Sequence, residues 1–156
     1  MPVNPLPEGT QPLVPYLIVK DAAKAIDFYK KVFAAEEVAR MPCPESKKIM
    51  HAELRIAGCM LYLADEQPEA GFKSPRTLGG SPVGMTLYCL DADKVFQRAV
   101  SAGAKVLKPM ADAFWGDRYG TVTDPFGHQW TVMMRKEELT MEQVMQRSKT
   151  AMAAHA

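Results

Sequence analysis

The sequence predicts an α+β fold in which one βαβββ unit is used twice in tandem. A shift that places Asp21 on Asp91 aligns two segments, each an apolar strand that ends in Asp and continues into a helical run. Each helical run is followed by a short strand and then by a hairpin. With 156 residues, 47% of them apolar, the chain is long enough to bury one core or two small, closely packed ones.

The strand and helix of each copy have clear start and stop signals. Val14–Asp21 and Gly84–Asp91 are predicted strands, and the helices are predicted over 22–33 and 92–103. Asp21 and Asp91 are candidate N-caps, because their carboxylates can accept from unpaired N–H groups of the first turn. One face of each helix is apolar at i, i+3, i+4 spacing: Ala25, Ile26, Tyr29, Val32 and Phe33 in the first, Val95, Phe96, Ala99 and Ala102 in the second. Gly103 ends the second helix.

Two hairpins complete the copies. The first joins Ile49–Ile56 to Cys59–Ala64 through Ala57-Gly58, and the second joins 118–123 to 128–134. The second turn is Asp124-Pro125-Phe126-Gly127, which has Asp at position i, Pro at i+1 and Gly at i+3. That order is typical of a type I turn, since the Asp side chain can bond its own backbone and Pro presets φ.

The organisation expected is a single domain over residues 12–147. Module 1 covers about 12–65, a linker rich in Pro and Gly covers 66–82, and module 2 covers about 83–135. A C-terminal helix is predicted over about 140–153, opened by the capping-box pattern Thr140-Met-Glu-Gln143. Its apolar stripe, which packs either on its own domain or on a dimer partner, is Met141, Val144, Met145 and Met152.

Composition excludes several classes of partner. The formal net charge is +1, which argues against nucleic acid or an anionic membrane surface. No apolar run approaches the roughly 20 residues of a membrane span, and the N-terminus lacks the basic and apolar regions of a signal peptide. The three widely spaced cysteines form no Cys-x-x-Cys pair, so a reducing cytoplasm is expected.

The tandem repeat and the closing motif resemble the vicinal oxygen chelate superfamily, which includes glyoxalase I, extradiol dioxygenases and bleomycin-resistance proteins. The residues that carry the resemblance are Phe114-Trp-Gly-Asp-Arg-Tyr-Gly120 and Asp124-Pro-Phe-Gly-His-Gln-Trp130. Together with Glu137-Glu-Leu-Thr-Met-Glu-Gln143 they are similar to the PhnB-like subgroup. The resemblance implies a cup-shaped mixed sheet. It says less about the reaction, because this fold supports many chemistries.

The resemblance also locates four metal-ligand positions, two in each module. They fall on Val14 and Tyr62 in the first module, and on Gly84 (or Met85) and Thr131 in the second. Metal-using members have His, Gln or Glu there, which suit divalent ions. Val and Gly have no donor atom, Thr is a weak ligand, and a Tyr phenol binds metal mainly when ionised. We therefore expect no metal and no other cofactor.

A metal held by non-standard ligands is the alternative, with His51 and Glu53 as the first candidates. Their i, i+2 spacing points both side chains to one strand face; without a metal they form a solvated or hydrogen-bonded pair. The same two residues and Tyr62 are the candidates for metal-free acid–base catalysis. His128 is expected to cap or pack at the hairpin end, and His155 lies in the C-terminal tail.

Strand alternation assigns a pocket face that mixes aromatic and polar groups, as small-molecule pockets do. The ligand-binding candidates are Tyr16, His51, Glu53, Tyr62, Tyr88, Phe114, Trp115, Arg118, Gln129 and Thr131. Phe114 and Trp115 either form a lid over the ligand or seal the rim or a dimer interface. Arg118 either clamps an anionic group or pairs with Asp117 or Glu53.

The function hypothesis is a glyoxalase/bleomycin-resistance-like protein, expected to be a cytoplasmic homodimer, that binds a small organic molecule without the usual metal. The alternative is a divalent-metal-dependent lyase or dioxygenase that uses His51 and Glu53. A third hypothesis is a metal-free lyase or isomerase with one of those two residues as base.

Overall fold

A computed structural model describes residues 3–153 of the chain. The strands are Tyr16–Val19 (β1), Glu36–Pro42 (β2), Ile49–Ile56 (β3), Cys59–Asp65 (β4), Gly84–Tyr88 (β5), Lys105–Asp112 (β6), Asp117–Thr123 (β7) and Gln129–Arg135 (β8). The helices are Ala22–Phe33 (α1), Pro75–Leu78 (α2), Ala92–Ser101 (α3) and Met141–Ala153 (α4), and Pro68–Ala70 forms a short 3-10 turn. The order confirms the α+β fold and the two βαβββ modules followed by a C-terminal helix.

The strands form two four-stranded mixed sheets with the same topology. Their orders are β1-β4-β3-β2 and β5-β8-β7-β6. In each sheet the first strand of the module is parallel to the last, which places Tyr16 beside Tyr62 and Thr86 beside Thr131. The remaining pairs are antiparallel. The internal repeat in the sequence is therefore a repeat in the hydrogen-bonded ladder as well.

The chain divides into two compact units at the predicted module boundary. The first unit contains the residues up to Pro82 and the turn residues Pro125–Gly127, and the second contains Val83–Asp124 and the residues from His128 onward. Phe126 belongs to the first unit, where its ring meets Phe28 and Tyr29 of α1 edge-on at centroid distances of 6.0 and 6.2 Å. The single domain expected over 12–147 stays a prediction.

Both predicted N-caps are confirmed. The carboxylate of Asp21 accepts from the N–H of Lys24, and that of Asp91 from the N–H of Lys94. Each satisfies one of the first-turn donors that have no partner inside the helix. The apolar faces of α1 and α3 are buried against their own sheets, as the helical spacing predicts. The caps and the buried faces therefore fix where each helix begins and which side it turns inward.

The Asp-Pro-Phe-Gly turn closes the second hairpin through its Asp. Asp124 donates its N–H to the carbonyl of His128 at 2.8 Å, and its carboxylate accepts from the N–H of His128 and from Nε1 of Trp130. Gly127 has φ +96°, and a Cβ there would lie 2.8 Å from Cβ of Pro75. Both the positive φ and the close approach require glycine at this position.

Two buried carboxylates at the start of the segment between the modules accept hydrogen bonds from neighbouring parts of the chain. Asp65 accepts from the backbone N–H groups of Asp21, Ala22 and Ile49. Glu66 accepts from the N–H of Ser74 at 3.0 Å and from the hydroxyl of Thr77 at 2.6 Å, and these bonds lower its pKa to about 2. The predicted linker is therefore attached to the first sheet at its start.

Helix α4 begins with the predicted capping box, which is confirmed. The N–H of Thr140 donates to Oε1 of Gln143 at 2.8 Å, and the N–H of Gln143 donates to the Thr140 hydroxyl at 3.2 Å. No residue of α4 is buried, and Met141, Met145 and Met152 are exposed. The stripe is therefore largely exposed in this structure, and the homodimer stays a prediction. Within residues 3–153, no helix is long and apolar enough to cross a membrane.

Candidate functional site

Each sheet has one side against its helix and one open side. Apolar residues at alternate positions of β1, β3, β4 and β8 are buried: Leu17, Val19, Leu54, Ile56, Leu61, Leu63, Trp130 and Val132. Leu87 and Cys89, near the end of β5, are only half-buried. The candidate site residues within the strands lie on the open side, except Arg118, and Phe114 and Trp115 lie in the β6–β7 connection.

Four of the candidates come together on the open face of the first sheet. The hydroxyl of Tyr16 lies 2.8 Å from Nδ1 of His51, and Nε2 of His51 lies 3.3 Å from Oε1 of Glu53. The ring of Tyr62 packs edge-on against His51 at 5.1 Å and against Tyr16 at 6.0 Å. The ladder explains the cluster, since Tyr62 pairs with Tyr16 on one side and with Glu53 on the other. We call Tyr16, His51, Glu53 and Tyr62 the tyrosine–histidine cluster.

The cluster is partly open to solvent. The side chains of His51 and Glu53 are 29% and 31% exposed, and Tyr16 is 48% exposed. Partial burial of the Tyr16 phenol raises its pKa above the usual value, because the phenolate loses hydration. At neutral pH Tyr16 therefore acts as a hydroxyl that can donate one hydrogen bond and accept others.

A small cleft adjoins the cluster. It has a volume of about 100 Å³, and its walls include Tyr16, Ile18, Met50, Ala64 and Phe72. Tyr16 is thus shared between the hydrogen-bonded cluster and a largely apolar recess. This combination of apolar walls with few polar groups is typical of small-molecule sites, although the recess is smaller than a whole ligand pocket.

The N-terminal segment meets the other end of this face, which sequence reasoning did not predict. The side-chain amide of Gln11 bonds both backbone groups of Met60, at 2.7 and 2.8 Å, and Arg55 donates to the carbonyl of Gly9 at 2.9 Å. Met60, which strand alternation places on the same side as Tyr62, is only 2% exposed. The signal in the sequence was the polar Gln11 before Pro12, and a polar side chain alone does not indicate which residue it bonds.

The face assigned to Arg118 is wrong. On β7 it pairs with Met134, so it shares the helix-facing side with Trp130 and Val132. Its guanidinium forms two 2.7 Å bonds to Asp93 in the first turn of α3 and a 3.1 Å bond to Asp112. These carboxylates raise its pKa further above the usual range. Arg118 does pair with carboxylates, but with Asp93 and Asp112 instead of Asp117 or Glu53.

The open side of β7 is formed by Tyr119 and Thr121, which sequence reasoning missed. Tyr119 pairs with Met133, and the Thr121 hydroxyl lies 3.0 Å from that of Thr131. The available signal was Val122, an apolar residue opposite Trp130. Counting alternation from Val122 puts Arg118 on the helix side. Gln129, which pairs with Gly84 and Thr123, lies half-buried at the start of β8 on the open side.

Two further candidates of the second unit meet at a buried carboxylate. Asp117, 8% exposed, accepts from Nε1 of Trp115 at 2.9 Å and from the hydroxyl of Tyr88 at 3.2 Å. Burial, and next the negative charge of Asp117, raise the pKa of Tyr88. The Trp115 ring is 5.0 Å from both Phe114 and Tyr119. Phe114, Trp115 and Tyr119 form an aromatic group beside β6.

The side chains present at the four metal-ligand positions do not fit a divalent ion. Val14 and Gly84 supply no donor, and the Thr131 hydroxyl bonds another hydroxyl. His51 and Glu53 bond each other, and two ligands alone make an incomplete site. Among residues 3–153, no three His, Cys, Asp or Glu side chains are grouped closely enough to hold a metal ion.

The other histidines lie away from this chemistry. His128 is 7% exposed and its backbone is bound on both sides by Asp124, so it packs at the hairpin end as expected. His155 lies outside the described residues.

The comparisons with known proteins agree with this geometry. Residues 11–132 match the family described as Glyoxalase/Bleomycin resistance protein/Dioxygenase superfamily. An uncharacterized protein from Mycobacterium bovis is 48% identical over 135 residues, which cover 85% of this chain and 88% of that protein. The X-ray structure of a gene product from Arabidopsis thaliana superposes with a TM-score of 0.64 at 30% identity, covering 78% of this chain and 97% of that one.

A further structure, the PhnB protein from Bacillus cereus, shares the fold with a TM-score of 0.66 at 18% identity, covering 80% of this chain and 99% of that one. The matched region includes both modules and ends within the closing hairpin that carries the sequence resemblance. The chain belongs to the Glyoxalase/Bleomycin resistance protein/Dioxygenase superfamily.

Proposed function

We propose that this superfamily member is a cytoplasmic protein that binds a small organic molecule on the open face of its first sheet, without the metal that many members use. The observation that carries the proposal is the tyrosine–histidine cluster. It presents two phenols, an imidazole and a carboxylate on one face of the first sheet, beside an apolar recess. These groups can orient a ligand by hydrogen bonds while the rings and the recess take up its apolar part.

The proposal predicts a ligand with an apolar or ring portion and at least one hydrogen-bonding group. Its polar end would exchange bonds with the Tyr16 hydroxyl, the His51 imidazole or the Glu53 carboxylate, which are partly exposed. Tyr62 would pack on the apolar portion of the ligand. Its ring packs edge-on against Tyr16 and His51, so it lies next to the groups that would bind the polar end.

The test is a thermal-shift screen of small aromatic and heterocyclic compounds, with calorimetry on each hit. Tyr62→Leu and His51→Gln should weaken binding of a hit by about tenfold, the effect of about 1.4 kcal/mol. The matched control is Lys31→Ala, on an exposed position of α1, which should bind like the wild type. Hits that bind both cluster variants with unchanged affinity would place the ligand elsewhere and refute the proposal.

The second candidate is a metal-dependent lyase or dioxygenase with His51 and Glu53 as ligands. One observation favours it, the 3.3 Å approach of a nitrogen and a carboxylate oxygen on a shared strand face. Elemental analysis of protein purified without chelator separates the two candidates. A stoichiometric divalent ion that is lost in His51→Ala supports the second; less than about a tenth of an equivalent in the wild type supports the first.

A further inference from the structure

A second and larger cleft lies in the second unit, next to the β6–β7 connection. Its volume is about 590 Å³, which is within the range of small-molecule sites. Its walls include Lys108, Asp112, Phe114, Trp115 and Tyr119, with Ala151 and Met152 of α4 at one side. It shares no residue with the tyrosine–histidine cluster, so it is a separate candidate site.

Two features make the aromatic wall suited to a flat ligand. The rings of Trp115 and Phe114 are perpendicular, at 89°, while Trp115 and Tyr119 are inclined by only 40°. A wedge of this kind offers one ring face for stacking and one ring edge for a T-shaped contact, the two favourable aromatic geometries. An aromatic ligand can satisfy both contacts at once.

The wall is also held in place before any ligand arrives. Trp115 donates its only side-chain N–H to Asp117, so the indole orientation is fixed and its faces need no polar partner. The connection is tight: the N–H of Ala113 donates to the carbonyl of Asp117 at 2.7 Å. Gly116 has φ +96°, and a Cβ there would lie 2.8 Å from the Glu137 carbonyl oxygen. A rigid wall reduces the ordering cost of binding.

The charged side chains in the cleft wall indicate which polar group a ligand would carry. Asp112 already pairs with Arg118 at 3.1 Å and with Lys136 at 2.8 Å. Lys108 donates to the Tyr119 hydroxyl, and its ammonium is 4.5 Å from the centre of that ring. Within the described residues, Lys108 forms no ion pair with a carboxylate. The cleft thus presents a cation at the edge of an aromatic wall, with its acidic residue neutralised.

We propose that this cleft binds a small planar aromatic carboxylate, with the ring stacked on Trp115 and Tyr119 and the carboxylate paired with Lys108. Such a carboxylate has a pKa near 4 and is ionised at neutral pH. The inference goes beyond the proposed function, because it concerns another site and another part of the chain.

The test uses 2-naphthoate as the probe and 2-naphthylmethanol as its neutral counterpart, titrated into the full-length protein. The chain has two tryptophans, so the ¹H–¹⁵N spectrum has two indole N–H signals. Naphthoate should shift the Trp115 signal and leave that of Trp130, which is 4% exposed, in place. Saturation of that shift gives the dissociation constant, and naphthylmethanol should bind about fivefold more weakly, the effect of a partly exposed ion pair.

Variants separate the two halves of the site. Lys108→Met should make the two probes bind equally, while Lys105→Met, an exposed lysine of the same strand, should keep the fivefold preference. Trp115→Leu should weaken both probes by about tenfold through loss of the stacking contact. If Trp115→Leu does not fold, Trp115→Phe is used in its place, because it keeps an aromatic ring. The comparison of Lys108→Met with Lys105→Met tests the carboxylate contact independently of either Trp115 variant.

Three results would overturn the inference: no saturable shift of the Trp115 signal at millimolar naphthoate, equal binding of both probes to the wild type, or a naphthoate preference that survives in Lys108→Met. Lys31→Ala, at an exposed position of α1, should leave the naphthoate shift of the Trp115 signal unchanged. Because the Trp115 signal reports on this cleft and not on the tyrosine–histidine cluster, failure of this inference is distinguishable from failure of the first-sheet proposal.

Discussion

The hydroxyl of Tyr16 lies 2.8 Å from Nδ1 of His51, and the other ring nitrogen lies 3.3 Å from the Glu53 carboxylate. Nε2 of the same ring faces Glu53, and an ionised carboxylate accepts hydrogen bonds but donates none. Nε2 therefore carries the proton, and Nδ1 of the neutral ring accepts from the Tyr16 hydroxyl. The sheet ladder makes this arrangement possible, because Tyr62 lies between the strands of Tyr16 and Glu53.

Removing the Glu53 carboxylate should release this preference. Glu53→Ala takes away the acceptor for Nε2–H, so the neutral imidazole should become a mixture of tautomers, measured by long-range ¹H–¹⁵N correlation at alkaline pH. Tyr62→Phe is the matched control, because it keeps the 5.1 Å ring contact with His51 and should leave the tautomer unchanged. A wild-type ring protonated on Nδ1 would contradict the assignment.

The buried Glu66 predicts a pH-dependent stability. Its pKa is lowered from 4.5 to about 2, chiefly by the hydrogen bonds from Thr77 and Ser74. A depressed pKa means that the ionised form stabilises the fold above about pH 4.5, and that this stabilisation is lost as pH falls toward 2. Glu66→Gln should lower the free energy of unfolding at pH 7 by about 1–2 kcal/mol.

The difference between Glu66→Gln and the wild type should shrink as the pH falls, because protonation removes the same charge from the wild type. Urea unfolding at pH 7, 5 and 3 measures it. Glu69→Gln, an exposed neighbour in the same segment, controls for the other carboxylates that titrate in this window. A difference that grows at low pH would show that the sign is wrong.

The closing turn depends on one carboxylate. Asp124 is 4% exposed and bonds the N–H of His128 and Nε1 of Trp130. Asp124→Ala leaves both donors buried without this acceptor, so we expect a loss of about 2–3 kcal/mol in the free energy of unfolding. The exposed Asp27→Ala should stay within about 0.5 kcal/mol of the wild type. A double-mutant cycle with Trp130→Phe isolates the Asp124–Trp130 bond.

Arg118 should affect stability and not ligand binding. Its fork of two 2.7 Å bonds holds β7 to the first turn of α3 through Asp93. Arg118→Lys keeps the charge but loses the planar fork, so chemical unfolding should show a lower free energy of unfolding than the wild type. Arg135→Lys, whose 3.6 Å pair with Glu138 is exposed, is the control and should be near neutral. Weaker ligand binding in Arg118→Lys alone would return Arg118 to the site.

Local chemistry made much of the fold predictable from the sequence. The helix caps at Asp21 and Asp91 and the Asp124 turn each depend on a side chain that bonds backbone a few residues away. The apolar alternation in β3, β4 and β8 arises because successive side chains of a strand point to opposite faces, one of which is buried. Interactions between residues close in sequence can be recognised from the sequence itself, so the repeat predicted the module, and the repeat with the closing motif predicted the family.

The site was predictable only in part. Placing His51, Glu53 and Tyr62 on one face needed only strand alternation, but their contact with Tyr16 depends on the parallel pairing of β1 with β4. Arg118 was assigned by alternation to the open face, but it lies on the helix side, where its partner Asp93 is supplied by α3. The cleft around Trp115 involves a loop, an edge strand and a helix that are distant in sequence.

By itself the sequence determined the repeated unit, the caps, the closing turn and the absence of the usual donors at Val14, Tyr62, Gly84 and Thr131. Only the tertiary structure decided the partners of Arg118, the hydrogen-bonded order Tyr16–His51–Glu53 and the position of Lys108 beside the Trp115 wall. The physical reason is range. Propensity, capping and alternation act over a few residues, whereas hydrogen bonds and ring contacts between strands depend on sheet register, which is set by the packing of the whole unit.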